Sequence, residues 1–385
     1  MSQASSFLPL GSVTGIGSLP MTDPDEAVAF VAEHSPRAPF WPQLPQRAAT
    51  ETMIEQVLSP FQDMLRRRDG LPGYDVTPSL EDVFARRLDE ARAELDESCA
   101  AGWYAFERAL AAGAFPRAQV LKGQIAGPIT LATQVYVEGR PLVDARGPHT
   151  ARCLEMARAL AWYATRLALW QIERLQRWRL PVILMLDEPC LSLAAMRPSP
   201  IAHHVGPVLK ESLTMIRAAG AIAGVHCCAR LPTALVHQAH PDLISFDAHQ
   251  GLEEFMADPH MQAFMRGGGL VAFGLIPTAP DLSQFHALTM LSRWLESALA
   301  LGDIAGLAER SFFTATCGLG LLSVRAARQS FQLAGQLSSG VNALLQRAGR
   351  GAPQHPDSRH AGQPSGLHRL PHQYTSFPLW RRLQP

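Results

Sequence analysis

The residues best suited to chemistry are His226 and Cys228, one residue apart at the end of the apolar run Ala223-Gly224-Val225. Side chains alternate faces along a strand, so a strand that ends in His-x-Cys turns both ligands the same way. An imidazole nitrogen and a thiolate are ligands that zinc prefers, in a tetrahedron of about four. Two are not enough. The best later candidate is Cys317, which follows the apolar run Phe312-Phe313-Thr314-Ala315 and precedes Gly318. These residues predict a zinc site assembled from the ends of separate strands and used to activate a thiol. The other cysteines read as packing residues. Cys99, Cys153 and Cys190 lie in or beside helical or apolar stretches, and Cys227 points away from Cys228.

Carboxylates close other apolar runs. Val182-Ile183-Leu184-Met185-Leu186 ends in Asp187 and Glu188. A run this apolar reads as a parallel strand buried on both faces. Ionised groups are costly to bury unpaired, so Asp187 and Glu188 are candidates for a substrate site. The competing reading is a helix cap or salt bridge at the strand end. Asp247 closes Leu243-Ile244-Ser245-Phe246 in the same manner. Near the start, Thr14-Gly15-Ile16-Gly17-Ser18 breaks a short strand into a loop. Its glycines let backbone N–H groups approach an anion, and Ser18 adds a hydroxyl, although a plain strand-to-helix turn has the same pattern.

Positioning these groups takes a repeated unit. Strands near 181–188, 222–228, 243–247, 270–277 and 312–317 alternate with helices near 205–219, 230–239, 251–265 and 284–301. Earlier come a strand near 118–126 and helices near 23–33, 80–112 and 149–178, and a last helix covers 323–346. Residues 60–78 read as irregular. Alternation argues for a parallel sheet. About eight strands, with polar groups at their C-terminal ends, predict an α/β fold, a (β/α)8 TIM barrel whose site lies on that face. A doubly wound open sheet is the rival, but only closure gathers ligands from so many strands. Residues 1–348 are expected to form this single domain. Residues 349–385 shift to Pro, Gly, His, Arg and Ser and read as a disordered tail.

Bulk properties fit an enzyme with a large core: 385 residues, 47% hydrophobic, 18% charged and no net charge. No global field favours nucleic acid or a membrane surface. The start lacks the pattern of a signal peptide, and no apolar stretch reaches the roughly 20 residues of a membrane span. Six cysteines in so long a chain do not make a disulfide framework, so a cytoplasmic location is expected.

The ordered set Ile16-Gly17-Ser18-Leu19-Pro20, Lys122-Gly123-Gln124-Ile125-Ala126-Gly127-Pro128, Asp187-Glu188-Pro189, His226-Cys227-Cys228 and Cys317-Gly318-Leu319 spans residues 11 to 330. It resembles the catalytic barrel of cobalamin-independent methionine synthases, within the wider group that includes uroporphyrinogen decarboxylase. The resemblance implies zinc held by His226, Cys228 and Cys317, with Asp247 where the family has a glutamate ligand. It implies that Ser18 contacts the carboxylate of homocysteine. Asp187, the candidate catalytic carboxylate, would hold its ammonium group, with Glu188 beside it. Zinc would lower the pKa of the acceptor thiol, whose thiolate attacks the methyl donor.

Three departures stand out. The chain has no room for the family's second barrel. No glutamate stands around Pro45-Gln46-Arg47, and the family's catalytic histidine is replaced within Gly274-Leu275-Ile276-Pro277. That histidine helps protonate the folate leaving group. Its loss points to a methyl-corrinoid donor, carried by a partner protein, rather than methyltetrahydrofolate. Alternatives are a methyltransferase acting on another small thiol such as coenzyme M, a decarboxylase like that acting on uroporphyrinogen, and a non-catalytic metal- or corrinoid-binding module.

Overall fold

A computed structural model describes residues 7–347 apart from Arg197, without the side chains of residues 196–202. The expected tail, residues 349–385, lies outside the described residues. Seven parallel strands form the main sheet, and we number these alone: β1 (Ser12–Val13), β2 (Leu121–Ala126), β3 (Val182–Asp187), β4 (Ile222–Cys227), β5 (Leu243–Phe246), β6 (Leu270–Ile276) and β7 (Ser311–Ala315). Their order is β1-β7-β6-β5-β4-β3-β2. Strands adjacent in the chain are thus neighbours from β2 to β7, each pair joined by helices.

Among the described residues no eighth strand joins this sheet. In its place the segment 39–43 touches both edges of the sheet through isolated bridges, Phe40 to Lys122 and Gln43 to Ser18. Four main-chain hydrogen bonds make the join: Lys122 to Pro39 (2.9 Å), Trp41 to Lys122 (3.4 Å), Gln43 to Gly17 (3.1 Å) and Leu19 to Gln43 (2.9 Å). Pro39, Pro42 and Pro45 explain why this stretch is no regular strand, since proline cannot donate to a ladder.

The strands are buried along their whole length, as apolar runs in a parallel sheet must be. Alternation separates two cores. Outward side chains meet the helices in the main cluster. Inward ones form a second cluster containing Ile183, Met185, Ile222, Leu243, Leu270, Ala272 and Phe312. Gly224 belongs to this inner face because a Cβ there would lie 2.1 Å from Met185 Sδ.

The helices start where their caps direct. Asp23 Oδ1 accepts from the Asp25 and Glu26 amides at 2.8 and 3.0 Å, opening Pro24–His34. Thr150 caps Ala151–Leu175. The long helix expected over 80–112 is two, Glu81–Glu90 and Ala101–Ala111. Between them the Asp96 carboxylate takes the Ser98 amide at 2.8 Å, a local turn that competes with helix. The stretch expected to be irregular contains an antiparallel pair, Leu65–Arg67 with Tyr74–Val76. Gly70 and Gly73, at φ 67° and 94°, make its turn.

Candidate metal centre

The site stands on the inner face at the C-terminal end of the sheet. On β3, Ile183 and Met185 face inward, so Asp187 does too. On β4 the same alternation turns in Ile222, Gly224 and His226, and Cys228 follows one step past the strand. His226 and Asp187 are register partners. Cys317 lies just beyond β7, three strands from β4. The chain there is fixed by Thr278, whose hydroxyl accepts from the Cys317 amide at 3.0 Å and whose own amide donates to Thr316 Oγ1 at 3.0 Å.

The ligand atoms of His226, Cys228 and Cys317 lie within 4.8 Å of one another. His226 is buried, and its Nδ1 is 2.9 Å from Ser245 Oγ. That contact leaves Nε2 buried with no hydrogen-bond partner. A buried ring nitrogen without a partner, beside two thiols, is the donor set of a soft or borderline cation. The two cysteines act as a pair. Cys317 is held well below the usual thiol range by a hydrogen bond from Cys228 and by His226, against its burial. Cys228, the donor, is pushed up by that bond and by burial. The pair thus favours thiolate character at Cys317 over Cys228.

Asp187 is buried, and its Oδ1 has no partner. Burial pushes its carboxyl up to about 6, against the pull of His226 and Lys122. Ser18 reaches the cluster from the other edge of the sheet. Its hydroxyl accepts from the Gly320 amide at 3.3 Å, and the Leu319 amide donates to its carbonyl at 3.0 Å. Gly318 has no alternative: a Cβ there would fall 2.2 Å from Ser18 Oγ. Ser18 and Cys317 thus line one small cavity.

Two candidates are engaged elsewhere. Glu188 is fully enclosed, and both its oxygens accept from the start of the helix Pro128–Gln134: Ile129 N at 2.9 Å, Thr130 N at 2.7 Å and Thr130 Oγ1 at 2.7 Å. Burial raises its carboxyl to about 7 against these three donors. This is the cap arrangement. Asp247 caps Ala248–Ala257 through the Gln250 amide at 3.0 Å and is not among the converging ligands. It shares with Cys228 the wall of a cavity of about 250 Å³. Cys99, Cys153 and Cys227 are buried, and Cys190 is half-buried.

Sequence reasoning missed Ser245, Thr278 and Lys122. Ser245 could have been found from alternation, two residues before Asp247 on a strand beside β4. Lys122 sits inside a quoted motif with no role attached to it.

No protein-family model matches the chain, and no curated protein matches it. Among solved structures, a B12-independent methionine synthase from a Shewanella species, in complex with selenomethionine, aligns with a TM-score of 0.49 at 13% identity. The alignment covers 90% of this chain and 98% of that one. A likeness of that size leaves the chemistry to be argued from the site. Among the described residues no helix is long and apolar enough to cross a membrane.

Proposed function

We propose that this protein is a zinc-dependent methyltransferase that moves a methyl group onto a thiol. The thiol is homocysteine, the product methionine, and the donor a methyl-corrinoid. The observation that carries this reading is the convergence of His226, Cys228 and Cys317, with His226 Nε2 buried and unpartnered. We read the sheet, with 39–43 standing in for the eighth strand, as a (β/α)8 barrel with this cluster at its mouth.

His226, Cys228 and Cys317 would hold the ion; Asp247, whose Oδ1 caps the following helix, does not converge with them. Zinc bound there supplies a lowered pKa for a coordinated thiol, so that a thiolate is present at neutral pH. The chain does the rest. Ser245 fixes the His226 ring. Asp187, with a free oxygen, holds the acceptor's ammonium group. Ser18 and the amides of the 15–18 turn would receive its carboxylate. Glu188 keeps the end of β3 in place. Leu270–Ile276, which closes the site on the β6 side, carries no ionisable side chain. A leaving group that must be protonated finds no acid on that strand, whereas cobalt(I) corrinoid leaves without one.

The deciding experiment offers zinc-loaded protein homocysteine with methylcobalamin or methyltetrahydrofolate, each alone, with Cys317→Ser as control. Methionine from methylcobalamin alone, abolished in the variant, supports the reading. Methionine from the folate alone overturns the donor. No methionine from either donor, with zinc bound, overturns the acceptor.

A further inference from the structure

One buried ionisable group has no part in the chemistry above. Lys122 of β2 is 4% exposed, and burying an ammonium is costly. Apolar residues of similar length fill such positions more cheaply, so a retained charge calls for a task. The Lys122 ammonium donates to two neutral acceptors, the Ile16 carbonyl at 2.6 Å and Gln124 Oε1 at 3.0 Å. Gln124 is itself fixed, since its amide donates to the Trp41 carbonyl at 2.9 Å. Burial lowers the lysine to about 8, while Asp187 pulls it upward. Lys122, Asp187 and His226 line one water-sized cavity on the inner face.

The Ile16 carbonyl sits in the middle of the turn that ends in Ser18, and that turn is tightly seated. A Cβ on Gly15 would lie 2.2 Å from the Phe40 ring, and one on Gly17 2.8 Å from Gln43 Oε1 and 2.9 Å from Gln124 Cδ. With no side chains of their own, these glycines leave the backbone of the turn to be set by its neighbours. Lys122 is the neighbour that grips it from the site side.

We propose that Lys122 is a positioning residue of the acceptor site: it ties the 15–18 turn to the inner face beside Asp187, so that the carboxylate and ammonium ends of an α-amino-acid thiol are received by groups already in place. The inference rests on the function proposed above. It assigns to Lys122 the binding of the amino-acid end, not the holding of metal and not the transfer step.

The test compares wild-type protein with Lys122→Met, which removes charge and donors, and Lys122→Gln, which keeps a donor without charge. Zinc content, calorimetric binding of L-methionine, and KM and kcat for homocysteine are read for each. Lys122→Met is expected to weaken methionine binding and raise KM at least tenfold, with kcat and zinc content within twofold. Lys122→Gln is expected to fall between it and the wild type. Unchanged methionine binding and KM in Lys122→Met would overturn the inference, as would a loss confined to kcat or to zinc. Should neither variant fold, a crystal structure of the wild type with L-methionine decides. An amino-acid end within hydrogen-bond reach of Gly17 or Ser18 supports the inference, and one placed elsewhere overturns it. Wild type that neither methylates homocysteine nor binds methionine sinks the proposed function and this inference together. Wild type that does both, beside an unaltered Lys122→Met, sinks the inference alone.

Discussion

At the scale of single residues, the imidazole of His226 is oriented by the neighbouring strand. Its Nδ1 meets Ser245 Oγ, which leaves Nε2 to face the thiols. Partners of this kind set the ring's tautomer and direction, and removing one typically costs about 10–100-fold in metal affinity. Ser245→Ala is therefore expected to weaken zinc binding about tenfold in a chelator competition, with little change in melting temperature. Asp187 gives a pH signature. Its carboxyl is raised to about 6, so it loses its charge as pH falls through 6. Capture of an ammonium group needs the ionised form. The homocysteine KM should rise close to tenfold for each pH unit below 6, and Asp187→Asn should show a raised KM without that slope. A slope that survives in Asp187→Asn would belong to another group.

At the scale of elements, the junction of β3 with the helix Pro128–Gln134 shows how the strand ends are held. Glu188 closes that helix start with both oxygens, and Gly127 leaves the space: a Cβ there would lie 2.2 Å from Glu188 Cδ. Gly127→Ala should push the carboxylate off its donors and destabilise the protein by about 1–3 kcal/mol per buried donor left unpaired, read as a lowered denaturation midpoint. The strands and their inward faces were legible in the sequence because apolar runs ending in a polar residue have few other readings. The pairing of His226, Cys228 and Cys317 was legible for the same reason. What the sequence hid was the direction of carboxylates. Glu188 and Asp247 look alike in sequence to Asp187, each closing an apolar run. Only the helix that starts beside each one decides whether its oxygens meet backbone amides or the site. The hairpin at 65–76 and the break at 91–100 were hidden by short local turns that charge pattern does not report.

At the scale of the whole molecule, the join between the two sheet edges has the sparsest main-chain pairing of the barrel-like sheet. β1 is two residues long, and 39–43 meets its neighbours through isolated bridges and four main-chain bonds. Between β3 and β4 the pairing instead runs from Ile222 with Ile183 to His226 with Asp187. Amide exchange, which tracks local opening, should be faster at Trp41, Gln43 and Leu19 than at Val225 or Leu186. Equal protection would mean that helix packing, not the ladder, secures the join. Gly102 points to where such packing acts, since a Cβ there would fall 1.9 Å from the Pro42 carbonyl.

The placement of the ligands has one more consequence, which belongs to polymer physics. Cys228 and Cys317 stand just past the ends of β4 and β7, strands three places apart, with β5, β6 and β7 and the intervening helices strung between them. An ion gripped by both thiols turns that stretch of chain into a closed ring of roughly 90 residues, and a ring of that size has a smaller unfolded ensemble, by about 4–5 kcal/mol for a covalent bond. The centre proposed to ready a thiol for reaction would thus also act as a staple. Stripping the metal should lower the unfolding temperature while leaving the circular dichroism of the folded state unchanged.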